Sequence, residues 1–401
     1  MKSTGIVRGV DGLGRIVLPK ELRTSMKLDN DAKLEIFVEG DEIILKKYRP
    51  TGSCDFCGEV DDNAIQYAGY CICTSCRKKI GNRKKSCGEG GQPMRQMIDF
   101  TLPSCQPGRT LHAFRCVPEG EVRAVLQLSH GMVEFIDRYK PLAENLAARG
   151  ILVTGNDHLG HGGSIRTKED YGYFGEPDGN RAVLEDLHAV TTLTKQLYPG
   201  VPYFLLGHSM GSFYARQYLC EWGDELDGAI IMGTGYQPKA LVQLARTICR
   251  VLAVFHGWHY RSKLVARLSF LGYNKGLEGR TAHDWLNRDP VEVDRYRADE
   301  RCTFIFTLNA YYSMFSGILR LYDPALLARV PKDLPLLFLA GDADPVGEQG
   351  AGVKRAVKSL LDAGVKNIEV KLYPSARHEL LVELNREEVF ADIGDWLERR
   401  L

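Results

Sequence analysis

The sequence predicts an α/β fold with a mostly parallel sheet, helices on both faces and a helical cap, preceded by small β-rich modules. Three observations carry this prediction. A GHSMG turn at residues 207–211 joins an apolar run to a helical pattern, two later apolar runs end in polar loops, and residues 1–80 show hairpin and cysteine-pair patterns instead. A length of 401 residues exceeds what one ordinary core uses, so several domains are expected.

The GHSMG turn is typical of a nucleophile elbow. It follows the apolar run Val201 to Leu206 and precedes a predicted helix from Ser212 to Trp222. The glycines two positions before and after the serine let the backbone turn so tightly that side chains there would collide. Such a turn holds the hydroxyl of Ser209 out of the sheet, and Ser209 is therefore the candidate nucleophile.

Two downstream apolar runs are expected to be buried parallel strands that end beside this serine. The run from Leu334 to Ala340 leads into GDADP at residues 341–345, and the run from Val370 to Tyr373 leads into SARHE at residues 375–379. The carboxyl ends of parallel strands meet at one edge of a sheet. An acid and a histidine therefore follow the serine in the order that a catalytic triad on such a sheet requires.

Asp344 is the preferred acid, because the turn before Pro345 projects it past the strand end. Asp342 is the rival, and the sequence alone leaves this choice open. His378 would take the serine proton, and the aspartate would orient its imidazole and stabilise the cation. This chemistry needs no cofactor.

The loop after the predicted strand Ala124 to Leu128 is expected to supply an oxyanion donor. It reads SHGM, and the amides of Met132 and Met210 are the candidate donors for the tetrahedral intermediate. His130 is expected to hold this loop through hydrogen bonds.

A cap is predicted at about residues 234–332, between the strand Gly228 to Gly233 and the strand at Leu334. This insertion is rich in aromatic residues, most of which are expected to form the core of the cap itself. They include Trp258, Tyr260, Phe270, Trp285, Phe304, Phe306, Tyr311, Tyr312 and Phe315.

Several of these motifs together resemble the monoacylglycerol lipase and lysophospholipase branch of the α/β-hydrolases, over roughly residues 95–401. They are LSHG at 128–131, DHLGHG at 157–162, the elbow, and the two loops with the acid and the histidine. The resemblance implies a carboxylic ester with an acyl chain as substrate. It places the triad on Ser209, Asp344 and His378, and the oxyanion donors on Met132 and Met210.

Residues 1–50 predict a different, small domain. They contain short strand patterns, a helix start at residues 19–23, and a hairpin whose arms are 34–38 and 42–48. A segment of this size buries too little apolar surface to be stable alone, so a partner chain is expected.

The runs at 1–8, 13–23 and 43–48 resemble the AbrB and SpoVT transition-state regulators. That resemblance implies an interleaved, swapped-hairpin β-barrel that forms a dimer or a higher oligomer and binds DNA. The DNA contacts would fall on Arg8, Arg15 and Arg23. Gly9 and Thr24 stand where relatives often carry basic residues, which leaves open that the domain serves only for dimerisation.

Residues 51–80 predict a zinc ribbon. Two cysteine pairs on tight turns can present four thiolates tetrahedrally, and such a metal replaces the hydrophobic core that a short segment lacks. The predicted ligands of this structural zinc are Cys54, Cys57, Cys73 and Cys76, with Cys71 as a neighbour.

A basic, glycine-rich stretch at residues 81–94 is expected to be a linker before the domain at 95–401. Residues 1–95 hold 17 Lys and Arg against 13 Asp and Glu, so the front of the chain is basic although the whole chain has a formal net charge of +1. No signal peptide and no run of 18 apolar residues is found. We therefore expect a cytoplasmic protein without stable membrane insertion.

The combined prediction is a serine esterase acting on small acyl esters, fused to a DNA-binding module. An alternative from another class is a transcriptional regulator whose hydrolase domain senses or processes an acyl ligand.

Overall fold

The computed structural model divides the chain into two compact units, Met1–Lys84 and Lys85–Leu401. The division falls within the expected linker. The residues that the structure describes are 9, 11–12, 15–19, 23, 34–39, 42–47, 54, 60–67, 70–75, 96–277 and 279–401.

The described part of the first unit contains two antiparallel hairpins. Strands β1 (Leu34–Glu39) and β2 (Glu42–Lys47) form the predicted hairpin, and β3 (Ile65–Tyr67) pairs with β4 (Tyr70–Ile72). In the first hairpin, Ile36 lies opposite Leu45 and Val38 lies opposite Ile43. These four aliphatic side chains share one face of the hairpin, and all four are exposed.

The second unit is built on an eight-stranded sheet in the order β12-β11-β10-β9-β7-β8-β6-β5. The strands from β7 to β12 are parallel to their neighbours, and β5 and β6 add an antiparallel edge. The strands are β5 (Gln96–Pro103), β6 (Thr110–Val117), β7 (Ala124–Ser129), β8 (Ile151–Asn156), β9 (Tyr203–His208), β10 (Gly228–Met232), β11 (Leu336–Gly341) and β12 (Ile368–Tyr373).

Helices cover both faces of this sheet, as predicted. Helices α1 and α10 pack on one face, and α2, α3 and α9 pack on the other together with part of the cap. The helices are α1 (Lys140–Ala147), α2 (Gly179–Leu197), α3 (Met210–Trp222), α4 (Lys239–His256), α5 (Lys263–Ser269), α6 (Pro290–Ala298), α7 (Leu308–Arg320), α8 (Pro324–Leu327), α9 (Ala351–Asp362) and α10 (Arg386–Glu398).

Double coverage explains the composition of the central strands. All residues of β7 to β11 are buried, and these strands accordingly are nearly continuous apolar runs. The prediction that the last strand is equally buried is wrong. Strand β12 is at the edge of the sheet, and the side chain of Val370 is 45% exposed.

The cap consists of α4 to α8 and lies between β10 and β11. Phe306, Tyr311 and Phe315 are buried within the same apolar cluster as helices α2 and α3, so much of the cap's aromatic content serves packing. Other large apolar residues of α4 and α5 are exposed. Within the described residues, no helix is both long and apolar enough to cross a membrane.

Candidate active site

Ser209 lies at the sharp turn between β9 and α3. Its φ is 53° and its ψ is −119°, a conformation that non-glycine residues rarely adopt. A Cβ atom on Gly211 would overlap the carbonyl oxygen of Ser129, and one on Gly207 would overlap that of Gly211. These overlaps give the physical reason for both glycines of the predicted elbow.

The structure brings the three predicted triad residues together. The Nε2 atom of His378 lies 2.8 Å from Oγ of Ser209, and its Nδ1 atom lies 2.9 Å from Oδ2 of Asp344. An ionised carboxylate only accepts hydrogen bonds, so Nδ1 carries the proton and Nε2 is the atom that can accept the serine proton. The three residues lie close together because they follow strands of one parallel series, β9 to β12. The carboxyl ends of these strands lie at the same edge of the sheet.

The geometry distinguishes the two candidate acids. Asp344 is fully buried, and its other oxygen accepts a 2.9 Å hydrogen bond from the amide of Val346. Asp342 is exposed, and its carboxylate accepts a 2.6 Å hydrogen bond from the amide of Ser375. Asp342 therefore stabilises a turn, while Asp344 contacts the imidazole.

The predicted oxyanion loop lies directly against the nucleophile. A Cβ atom on Gly131 would be 3.1 Å from the Cβ of Ser209. The amide of Gly131 donates to Glu134 at 2.5 Å, and the amide of Val133 donates to Nε2 of His161 at 3.2 Å. The amide of Met132 lies between these two anchored groups.

The second predicted donor, the amide of Met210, is at the first position of helix α3. The first amides of a helix have no intrahelical acceptor. This amide is therefore free of an intrahelical partner at the elbow.

Buried histidines hold the oxyanion loop, as expected for His130. Its Nδ1 donates to the carbonyl of Gly131 at 2.8 Å, and its Nε2 accepts from the amide of His158 at 2.9 Å. Nδ1 of His161 donates to the carbonyl of Leu159 at 3.1 Å. Both nitrogens of His130 and His161 are thus occupied by the backbone, which is a positioning role and not a metal-binding one.

Burial keeps these imidazoles neutral. It lowers the pKa of His130 and lowers that of His161 to about 3. Protonation of His161 would also abolish its acceptance of the Val133 amide.

A buried charged cluster that the sequence analysis missed lies behind the elbow. Nδ1 of His208 is 3.0 Å from Oε1 of Glu134, and Nε2 of His208 is 3.3 Å from the carbonyl oxygen of His378. Arg138 contacts Oε2 of Glu134 at 3.0 Å and binds both oxygens of Glu379, at 2.5 and 2.9 Å. The spacing of Glu134 and Arg138 within one turn was the available signal for this pair.

The contacts within this cluster favour the charged forms of Glu134 and His208. Burial opposes charge on both Glu134 and His208, but their mutual hydrogen bond and attraction outweigh it. The pKa of Glu134 is therefore held well below its usual range, and the pKa of His208 is raised. Glu134 also accepts a 2.9 Å hydrogen bond from the hydroxyl of Tyr139.

The cap contacts the triad through a short segment before α6. The indole of Trp285 lies 5.1 Å from the imidazole of His378, between ring centres. The amide of Glu379 donates to the carbonyl of Leu286 at 2.9 Å, and Arg377 donates to the carbonyl of Asp284 at 2.6 Å. No sequence pattern predicts these contacts, because they join segments about 90 residues apart.

One surface group within the described residues has the composition of a cation site, namely Asp99, His112 and Asp137. Nζ of Lys140 already lies 2.9 Å from Asp137 and 3.5 Å from Asp99. This ammonium satisfies the two carboxylates, so the group is an ordinary surface ion-pair network.

The predicted sites of the first unit are described only in part. The side chain of Arg15 is 69% exposed and forms a 2.8 Å ion pair with Asp11, and Arg23 is also exposed. Cys54 and Cys73 are both buried, in one small cluster with Ile72. Arg8, Cys57, Cys76 and the linker at 81–94 lie outside the described residues.

The sheet, the elbow and the three aligned side chains define a serine hydrolase with the α/β-hydrolase fold. The chain belongs to the Hydrolase_4 family, described as serine aminopeptidase S33, whose model matches residues 120–385. A second family model, described as the MazE bacterial antitoxin that takes part in antidote-toxin recognition, matches residues 7–53.

Similar proteins likewise match either the hydrolase part of the chain or its N-terminal part. Monoglyceride lipase of Mus musculus is 30% identical over 298 residues, covering 71% of this chain and 85% of the mouse protein. Transition state regulatory protein AbrB of Bacillus subtilis is 52% identical over 69 residues, covering 17% of this chain and 72% of that protein. A solved carboxyl esterase from Bacillus coagulans matches 76% of this chain and 99% of its own, with 25% identity and a TM-score of 0.71.

The protein is therefore a serine ester hydrolase whose hydrolase domain is preceded by an AbrB-like domain. The resemblances found in the sequence are confirmed for both of these parts.

The neutral histidines predict loss of stability in acid. In the unfolded chain His161 takes up a proton below about pH 6.5, whereas in the fold it stays neutral to about pH 3. This histidine should therefore cost about 2 kcal/mol of unfolding free energy at pH 5. His161→Gln keeps an acceptor for the Val133 amide without the titration, so its melting temperature should fall less between pH 7 and pH 5 than that of the wild type. The exposed His256→Gln is the control, and equal slopes for all three proteins would contradict the assignment.

Proposed function

We propose that Ser209, His378 and Asp344 are the catalytic triad of this ester hydrolase, with the amides of Met132 and Met210 as the oxyanion hole. The observation that carries the proposal is the unbroken hydrogen-bonded line from Asp344 through the imidazole to the serine hydroxyl. A hydroxyl, an imidazole and a buried carboxylate in this order are what acyl transfer through a serine requires.

In the proposed reaction, Oγ of Ser209 attacks the ester carbonyl while Nε2 of His378 takes the hydroxyl proton. The two amides stabilise the oxyanion that forms. Collapse of this intermediate breaks the ester C–O bond, and the leaving alcohol receives the proton from His378. A water molecule then attacks the acyl-enzyme, again with His378 as base, and releases the carboxylic acid and the free serine.

We further propose that the substrate carries an acyl chain, as in a monoacylglycerol or a lysophospholipid. Relatives named monoglyceride lipase support this substrate class. The surface of the cap supports it as well, because residues 238–277 contain seven Lys and Arg and no Asp or Glu. Their exposed apolar residues include Leu241, Leu244, Val251, Val254, Phe255, Leu264 and Leu268. Such a surface suits an amphiphilic substrate better than a polar one.

The two aspartates of one loop provide a matched test of the triad. Asp344→Asn should lower kcat by about 10⁴-fold, because the imidazole loses the partner that fixes its tautomer and stabilises its cation. Asp342→Asn should leave kcat within about threefold, since Asp342 only accepts a hydrogen bond from a turn amide. Hydrolysis of a medium-chain nitrophenyl ester and of a monoacylglycerol measures both. A large loss from Asp342→Asn with little from Asp344→Asn would reverse the assignment.

A second candidate function concerns the first unit. We propose that it forms a dimer or higher oligomer and binds DNA through Arg8, Arg15 and Arg23, so that the chain acts in transcription and its hydrolase domain senses or processes an acyl ligand. The AbrB relative supports DNA binding. The exposed aliphatic face of the β1–β2 hairpin supports oligomerisation, because a second copy would remove it from water. The ion pair of Arg15 with Asp11 is exposed and therefore easily exchanged for a phosphate contact.

DNA binding has a direct signature. A gel shift of the full chain on duplex DNA should show binding at low salt that weakens as salt rises, and Arg15→Ala should lower affinity on every sequence and reduce the salt slope by about one. Arg267→Ala, an exposed arginine of the cap, is the matched control and should bind as the wild type does. Absence of binding at low salt would favour a pure dimerisation role for this unit.

We also propose that Cys54, Cys57, Cys73 and Cys76 hold one structural zinc ion. The burial of Cys54 and Cys73 in one small cluster fits a pair of thiolate ligands. Bound zinc would supply cross-linking of the two cysteine pairs and no catalytic chemistry. A reducing, cytoplasmic location fits this proposal, and the buried thiols of Cys220, Cys249 and Cys302 suit it too.

The zinc proposal predicts about one zinc per chain by elemental analysis of the purified protein. Cys54→Ser and Cys73→Ser should each lose the metal, because a structural site needs all four thiolates. Cys71→Ser is the control from the same segment and should retain it. A wild-type protein without zinc, or equal losses in all three variants, would contradict the ligand set.

A further inference from the structure

Val133, the residue after the proposed oxyanion donor Met132, is held in a left-handed conformation. Its φ is 55°, which is a genuine outlier for a β-branched side chain. Such a conformation costs free energy and persists only where surrounding contacts impose it. The side chain is 7% exposed and packs in the main apolar cluster. Side-chain packing alone does not fix a backbone dihedral angle, so the hydrogen bonds of the Val133 N–H and carbonyl groups are the contacts that matter for this φ.

Two hydrogen bonds hold the backbone of Val133, one on each side of its Cα. Its N–H donates to Nε2 of His161 at 3.2 Å. Its carbonyl oxygen accepts a 2.9 Å hydrogen bond from the hydroxyl of Tyr296. The first partner belongs to the loop after β8, whereas Tyr296 belongs to helix α6 of the cap.

Tyr296 is itself firmly placed. Its side chain is buried beside Phe135 and Trp285, and the guanidinium of Arg138 lies 5.1 Å from the centre of its ring. Burial raises the pKa of Tyr296 far above its usual range, so the hydroxyl keeps its proton and acts as a donor to Val133. Arg138 in turn binds Glu379, the neighbour of His378.

We propose that Tyr296 is a positioning residue for the oxyanion hole. By holding the carbonyl of Val133, it stabilises the strained backbone that directs the preceding Met132 amide, while Glu134 anchors the Gly131 amide on the other side. The cap thereby supports the oxyanion loop as well as contacting the imidazole of His378. This inference rests on the proposed function, because it assumes that the Met132 amide stabilises the oxyanion.

The first test is Tyr296→Phe, which removes one oxygen atom. It should lower kcat for ester hydrolysis about tenfold, because a less firmly held Met132 amide stabilises the oxyanion less well, and it should change KM by less than about twofold. Tyr312→Phe is the matched control, because this half-buried cap tyrosine packs on Trp258. An unchanged kcat, or a rise in KM without a fall in kcat, overturns the proposal.

A double-mutant cycle with Val133→Gly separates this role from a merely structural one. Glycine adopts a positive φ without cost, so the tyrosine has no strained conformation left to hold. In the Val133→Gly background, Tyr296→Phe should therefore lower kcat by less than about twofold. An equal tenfold loss in both backgrounds overturns the proposal, and melting temperatures of all four proteins establish that each is assayed in its folded state.

The Ser209→Ala variant distinguishes a failure of the positioning role from a failure of the proposed function. Turnover that survives in Ser209→Ala would refute the triad itself. Turnover that depends on Ser209 but shows no coupling between Val133 and Tyr296 would refute only the positioning role.

Discussion

The buried hydrogen bond between Glu134 and His208 is the interaction on which the geometry of the active site depends. It connects three loops that come from distant parts of the sequence. Glu134 holds the amide of Gly131 in the oxyanion loop, His208 belongs to the elbow, and the same imidazole reaches the carbonyl of His378. Arg138 binds the other oxygen of Glu134 at 3.0 Å, so this one buried carboxylate joins all of these contacts. These contacts hold the three loops in fixed positions relative to one another.

The cap adds contacts to two of these loops, the oxyanion loop and the loop of His378. Trp285 packs on the imidazole of His378, Tyr296 holds the carbonyl of Val133, and the segment around Leu286 hydrogen-bonds to the loop of Glu379. The cap thus contacts both the base and the oxyanion loop. Helices α4 and α5 of the same cap carry the exposed basic and apolar surface described above.

Much of the fold and of the triad could be predicted from the sequence, because both depend on local patterns. Apolar runs that end in polar loops predict parallel strands, and the glycines around Ser209 predict the elbow. The order of the acid and the histidine then follows from the topology. The choice between Asp342 and Asp344 needed the structure, because two residues of one turn point in different directions. The exposure of β12 was missed because an edge strand and a central strand can have similar apolar content.

The supporting network could not be predicted for a physical reason. Glu134, His208, Trp285 and Tyr296 act through contacts between segments far apart in the chain, and no periodicity or spacing encodes such contacts. In the first unit, the pattern of residues 34–47 was sufficient to predict the hairpin, whereas the roles of the arginines and cysteines remain proposals about DNA and metal binding.

Covalent trapping tests the central claim most directly. The full chain is treated with a fluorophosphonate, its intact mass is measured with its residual esterase activity, and the modified residue is located by peptide mass spectrometry. We predict one adduct per chain, on Ser209, formed in parallel with loss of turnover, and no adduct in Ser209→Ala. Retained turnover in a fully modified protein, or an adduct at another residue with Ser209 unmodified, would contradict the account.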